Sequence, residues 1–354
     1  MPQTAARILV IRFSAMGDVA MTAPVLKEFT DHYPNLELLM VSRGLFRPFF
    51  DGVPNLTFVN FEPKQQHKGF FGVLKLFFQL RKLNVNAVAD LHNNLRSRII
   101  CLLFLLTGVR SVAVDKGRKD KKQLTRKEGK ILRPLSLTVE RYAKVFHKLG
   151  FPFLLKNQLG EARPEHFDAM VLPEKTGKWI GVSPFAQHLQ KVYPLHKMEA
   201  VVLQLAALSH QLFIFGGTET EERTADSWAL KHKNIVSLVR KIRLDEELKF
   251  ISRLDVMLSM DSSGMHLASL KNIPVVSVWG ATHPYAGFLG YGQSMSNVLQ
   301  TDLYCRPCSV YGNVPCYRGD FACMNQLTEE IVVEKVLNKL KNGEATTTST
   351  TRQI

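Results

Sequence analysis

Acid is what this chain is short of: 31 Asp and Glu stand against 46 Lys and Arg, giving a formal charge of +15 and a pI near 9.6. The imbalance asks for an acidic partner, and nucleic acid, an anionic membrane surface and a phosphorylated substrate all qualify. Long apolar runs are missing too. The longest clean one, Ile99 to Leu106, falls far below the roughly 18 to 20 residues that cross a bilayer, so no transmembrane helix is expected. Met1 to Arg7 lacks the basic, apolar and small-residue sections of a secretory signal, which reads as a cytoplasmic chain. A Gly-x-Gly-x-x-Gly fingerprint is absent after the first apolar strand, which ranks a nucleotide-dependent oxidoreductase low. The basic stretches lack the aromatic ladder that grips single-stranded nucleic acid, and no nucleic acid is expected as a partner.

What is present is an α/β pattern, met twice. Short β-like runs alternate with helical ones, as in an open parallel sheet with helices on both faces. Strands are expected at 8–13, 36–42, 87–91 and 111–114, with helices at 19–32, 70–83, 95–107 and 134–149. The pattern restarts beyond a polar stretch from Lys156 to Lys178, interrupted by Pro164 and Pro173. Strands then follow at 179–183, 211–215, 234–238, 255–260 and 274–279, and a last helix at Glu329 to Lys341. The expected division is 1–165, 166–342 and a Thr-rich, disordered tail at 343–354. Two such domains place ligands in a shared cleft, where strand ends and helix N-termini of both halves meet.

Several segments carry chemistry. In Ser14-Ala-Met-Gly17-Asp18, a buried strand gives way to a small-residue turn and a helix start; Asp18 there serves either as a base toward an acceptor hydroxyl or as a helix cap. Gly17 allows close backbone approach. Asp261-Ser262-Ser263-Gly264-Met-His266 follows a strand and opens a helix, whose hydroxyls and N–H groups suit a phosphate, with a cap and a core histidine as the plainer reading. Lys191 lies in the loop after Ser183, where an ammonium serves either donor phosphates or only the surface, and Glu222 opens an acidic helix where a carboxylate meets either ribose hydroxyls or only the helix dipole. Between Arg110 and Arg133, ten cations face three acids, an excess of seven in one expected loop of the first domain, suited to lipid-borne phosphates or simply solvated. Lys68 to Lys82 mixes aromatics and cations as an interfacial helix does, or as a buried helix of the sheet would. Cys305, Cys308, Cys316 and Cys323 form a C-x2-C-x7-C-x6-C cluster, open to structural zinc, redox pairing or packing.

Taken together these segments resemble glycosyltransferase family nine, the ADP-heptose:lipopolysaccharide heptosyltransferases, from Arg7 to about Lys341. The turn at Ser14 to Asp18 with Pro24 resembles the family's opening motif. Asp261 to Ala268 with Pro274 to Thr282 resembles its donor-site signature. The resemblance implies a GT-B fold of two Rossmann-like domains, inversion at the anomeric carbon, an ADP-heptose-like donor in the second domain and an anionic, lipid-linked saccharide acceptor in the first, reached by peripheral contact with the inner membrane. It makes Asp18 the base. Ser183, Lys191, Glu222, Asp261, Ser262, Ser263, Gly264 and His266 become donor ligands, and Ser14, Gly17, His92, Arg96, Arg118 and Lys121 acceptor ligands. Such enzymes need no catalytic metal, and no Asp-x-Asp occurs here to hold one. The sequence departs from the pattern at Ser183-Pro-Phe, at Tyr193 before Pro194, and in its long basic segment. The rivals are a nucleic-acid-binding protein and a non-catalytic nucleotide binder using the basic patch and the cysteines.

Overall fold

The computed structural model describes residues 6–170, 175 and 177–350, with backbone alone for 342–350. It divides into two compact units, Met1–Arg118 with Ser136–Asn157, and Lys119–Leu135 with Gln158–Ile354. In the first, β1 (Arg7–Ile11), α1 (Met16–Ala20), α2 (Thr22–His32), β2 (Glu37–Ser42), β3 (Leu56–Asn60), α3 (Gly69–Arg81), β4 (Ala87–Asp90), α4 (Leu95–Leu106) and β5 (Arg110–Ala113) run in order. After α5 (Arg118–Leu124) comes α6 (Thr138–Leu149). The sheet is wholly parallel, ordered β3-β2-β1-β4-β5. The central strand explains itself: Ile8, Leu9, Val10 and Ile11 are all fully buried, because a parallel strand is covered on both faces and so reads as an unbroken apolar run.

The second unit holds β6 (Trp179–Ser183), α7 (Leu195–Ala207), β7 (Gln211–Ile214), α8 (Glu219–Ala229), β8 (Ile235–Ser237), α9 (Leu244–Ile251), β9 (Val256–Met260) and α10 (Ser263–Leu270). β10 (Val275–Val278), β11 (Val298–Leu299), α11 (Ala322–Asn325) and α12 (Glu329–Thr350) complete it. Its sheet, β11-β10-β9-β6-β7-β8, is again parallel. In both sheets the strand order reverses beside the first strand of the unit, between β1 and β4 and between β6 and β9. A doubly wound sheet opens a crevice for ligand at the carboxyl ends of such a pair. α12 packs on α7 of its own unit, with Val332, Val336 and Leu340 in the core.

Three expectations change. The boundary falls after Asn157 rather than 165, because the polar stretch that follows is bonded to the second sheet's helices: Gly160 N–H donates to Asn272 at 3.0 Å, Glu165 N–H to Ser252 at 2.8 Å, and Lys271 pairs with Glu165. Pro173 in that stretch lies outside the described residues. The basic segment contains a helix, and residues 119–135 join the second unit: Leu135 N–H donates to the Tyr285 carbonyl at 2.9 Å and the Lys121 ammonium sits 4.0 Å from the Phe288 ring centre. Finally, helix continues from the docked part of α12 through Gly343 to Thr350, since adding a turn to an existing helix avoids the nucleation cost; residues 351–354 lie outside the description. The expectation also lacked β3 and β11. β3 is an edge strand with intermediate or exposed side chains, and β11 has two residues, so neither carries a strong apolar pattern.

Candidate functional sites

In the first unit, Asp18 lies in the first turn of α1 directly beyond β1. It is not a cap: the N-cap position is Ala15, and no side chain bonds there. Instead its carboxylate pairs with Arg12, whose side chain is almost entirely buried, while about three-tenths of the Asp18 side chain remains open to solvent. Arg12 is oriented from three further sides. Its Nη1 donates to the Leu91 carbonyl at 2.6 Å, its guanidinium lies 5.8 Å from the Tyr142 ring centre, and its own carbonyl accepts the Ser42 hydroxyl at 2.6 Å. A planar guanidinium fixed in this way holds a carboxylate in one orientation.

His92 follows β4, on the neighbouring strand. Its Nδ1 accepts the Phe13 N–H at 3.1 Å, which requires a neutral ring nitrogen. Burial, then the charges of Arg12 and Lys116, push its pKa down to about 3. Beneath it, Asp90 is fully buried and accepts the N–H groups of His92 and Asn93 at 2.9 and 2.7 Å and the Ser97 hydroxyl at 2.8 Å; burial raises its pKa against those bonds. Asp90 thereby fixes the loop that carries His92. Ser14 and Gly17 flank Asp18 in the β1–α1 segment. Arg96 and Arg118 are exposed, Arg96 in the first turn of α4, whereas Lys121 is buried and lies against Phe288 within the second unit.

His92 sets an expected acid sensitivity. The unfolded chain takes up this proton near pH 6.5 and the folded one only near 3, so falling pH across that interval favours unfolding, and above it the residue has no effect. His283, lowered to about 4 by burial and then Arg306, acts in the same direction. His92→Gln should flatten the decline of Tm between pH 6.5 and 4, leaving a comparable contribution from His283; thermal melts with an unchanged slope would remove His92 from this role.

In the second unit, Ser183 ends β6 and Ser259 is its partner on β9. Beyond β9, Asp261 is buried and shares one oxygen between the Lys191 ammonium at 3.0 Å and the Thr282 hydroxyl at 2.8 Å. Lys191 is thus held by a carboxylate from the neighbouring strand end. Ser262 is the N-cap residue of α10; its side chain makes no capping bond, and its buried Oγ has no hydrogen-bond partner among the described residues. Gly264 allows the helix to approach β6, since a Cβ there would lie 2.3 Å from the Ser183 Oγ. His266 is buried in α10. Glu222 pairs with Arg240 at 2.7 Å, while the cap of α8 is formed by Thr218 and Glu221. Tyr193 is fully buried and donates to the Leu327 carbonyl at 2.8 Å.

Sequence reasoning missed Arg12 and Tyr142. Only Arg12 left a signal, an arginine set directly after an apolar strand run. The cysteines line one small pocket with Arg306 and Asp320, all as free thiols. Among the described residues, no three or more His, Cys, Asp or Glu side chains are gathered as a metal-ligand set. Arg306 organises that region through bonds to the carbonyls of Gly280, Trp279 and Thr282, the last holding the turn that supplies Thr282 to Asp261.

The sequence model of glycosyltransferase family 9 (heptosyltransferase) matches residues 73–315, about two-thirds of the chain. The chain belongs to that family. As a family 9 member it is a glycosyltransferase of GT-B fold, as its two parallel-sheet units also indicate. Lipooligosaccharide heptosyltransferase 2 of Campylobacter jejuni is 24% identical over 342 residues, covering 93% of this chain and 96% of that protein. Among solved structures, a family 9 glycosyltransferase from Veillonella parvula is 15% identical, with 97% and 99% of the two chains covered and a TM-score of 0.73. Escherichia coli heptosyltransferase WaaC with ADP-2-deoxy-2-fluoro heptose is 19% identical, with 94% and 99% covered and a TM-score of 0.64. These two share the fold of this family 9 chain. No helix among the described residues is long and apolar enough to cross a membrane.

Proposed function

We propose that this family 9 enzyme transfers a heptose, with inversion, from an ADP-linked donor to a lipid-linked, lipopolysaccharide-core acceptor at a membrane surface. Asp18 supports the reading most directly: a carboxylate that caps nothing, is held by a buried arginine and stays open to solvent at the switch point of the first sheet. In this mechanism Asp18 takes the proton of the acceptor hydroxyl as that oxygen bonds to the anomeric carbon, and the bond to the nucleoside diphosphate breaks with its electrons. The leaving diphosphate gains charge. The Lys191 ammonium, the Ser262 hydroxyl and the N-terminus of α10 are the donors assigned to it, with Ser183, Ser263, Gly264 and His266 shaping that site. Glu222, placed at the start of α8 with Arg240, is assigned to the ribose. Ser14, Gly17, His92 and, further out, Arg96 and Arg118 are assigned to the acceptor, with His92 a neutral hydrogen-bonding group. This scheme uses no catalytic metal.

The donor sugar is read from the relatives, which carry the name heptosyltransferase, and from the ADP-heptose analogue bound to WaaC. The test is release of nucleoside diphosphate from ADP-heptose and other ADP-, GDP- and UDP-sugars, with and without delipidated core acceptor. Acceptor-dependent ADP release from ADP-heptose is the expected result. Release only from another donor changes the sugar; release from none, by folded protein with a competent acceptor, overturns the reading.

A further inference from the structure

Helices α3 and α4 lie side by side on the first sheet. Their inner faces interlock in one core through Val73, Leu76, Phe77, Ile100 and Phe104, with the rings of Phe77 and Phe104 edge to face at 5.1 Å. The outer faces are apolar as well, which such helices normally avoid. On α3, Phe71, Leu74 and Phe78 recur at i, i+3 and i+7; on α4, Leu95, Leu102 and Leu106 recur at i, i+7 and i+11. Phe71 is 83% exposed, Leu95 76% and Leu106 75%. A patch of this kind marks a docking surface.

Charge selects what docks there. Lys75 and Arg81 on α3 and Arg96 and Arg98 on α4 are all exposed, Lys68 and Lys82 stand at the ends of α3, and exposed Arg110 begins β5. From Pro63 to Val114 the sole acid is Asp90, and it is fully buried. A second copy of the chain meeting this face through a twofold axis would set these cations against their own images. An apolar stripe bordered by cations and free of acid is instead matched to acyl chains beneath anionic headgroups.

We propose that the outer face of α3 and α4 inserts into an anionic bilayer, with the Phe71–Phe78 and Leu95–Leu106 stripes at acyl depth and the cations among the headgroups. This deepens the lipid-linked acceptor reading, because it puts the Asp18 unit on the surface that carries the acceptor. It also separates membrane binding from the basic segment 119–135, which belongs to the other unit.

The experiment is co-sedimentation of the full chain with phosphatidylglycerol-containing and pure phosphatidylcholine vesicles. Wild type should prefer the anionic vesicles by about tenfold or more, and Phe71→Ser with Leu102→Ser and Leu106→Ser should weaken that binding about a hundredfold. The triple variant should keep its transfer to delipidated acceptor and lose transfer to vesicle-borne acceptor. Phe71→Trp should be quenched by brominated lipid, a readout independent of the triple variant's folding. Unchanged vesicle binding by a folded triple variant, absence of quenching, or a wild-type dimer that these substitutions dissociate would overturn the proposal. Failure of wild type to transfer to either acceptor would sink the transferase reading and leave the vesicle result to stand alone.

Discussion

Asp18→Asn should lower turnover by about 10²- to 10⁴-fold, the usual contribution of a positioned general base, while ADP binding stays near wild type. Asparagine keeps an oxygen for Arg12 and the side chain's shape, so the orientation shown by the Arg12 pair survives and basicity alone is lost. Some stability goes with it. The Arg12 side chain is buried and keeps only the Leu91 carbonyl and the Tyr142 ring as described partners besides Asp18, so a loss of up to about 3 kcal/mol is expected, below the full cost of breaking a wholly buried pair because Asp18 is partly solvated. The informative comparison is kcat against the ADP dissociation constant, with thermal melts to confirm folding. Turnover within tenfold of wild type would remove Asp18 from the base role.

Lys191→Met should do two things that a second substitution can separate. It strips the ammonium from a buried carboxylate, leaving Asp261 with the Thr282 hydroxyl, at a cost of about 3 kcal/mol in stability. It also removes the cation assigned to the donor diphosphate, for which a rise in donor KM of about 10- to 100-fold is expected. Lys191→Met combined with Asp261→Asn returns most of the stability, since no charge is left buried without its counterion, yet should not return donor affinity. Calorimetric titration of ADP into both variants checks this. Recovery of ADP affinity in the double variant would show that Lys191 serves only to satisfy Asp261.

Much of the fold was legible because parallel strands buried on both faces leave apolar runs that need no tertiary knowledge: ILVI in β1 and VMLSM in β9 read directly as core. The short edge strands β3 and β11 and the charged helix α5 were not, having little buried apolar periodicity to reveal them. The positions of Asp18 and of the Ser262–His266 run just beyond a strand were legible for a related reason. A ligand-binding turn in a doubly wound sheet must directly follow a strand, so its residues are neighbours in sequence.

Partnership was not legible. That Asp18 is held by Arg12 rather than capping a helix, that Asp261 is occupied by Lys191 and Thr282, and that Lys121 packs on Phe288 of the second unit all depend on residues brought together from separate segments. By itself the sequence determined the two α/β halves, the order of their main elements, the absence of a spanning helix among the described residues and the family, since each is written in local pattern. Tertiary structure alone decided which charges meet, where the basic segment belongs and which apolar side chains of α3 and α4 stay outside the core, because burial and pairing are set by the packing of elements distant in the chain.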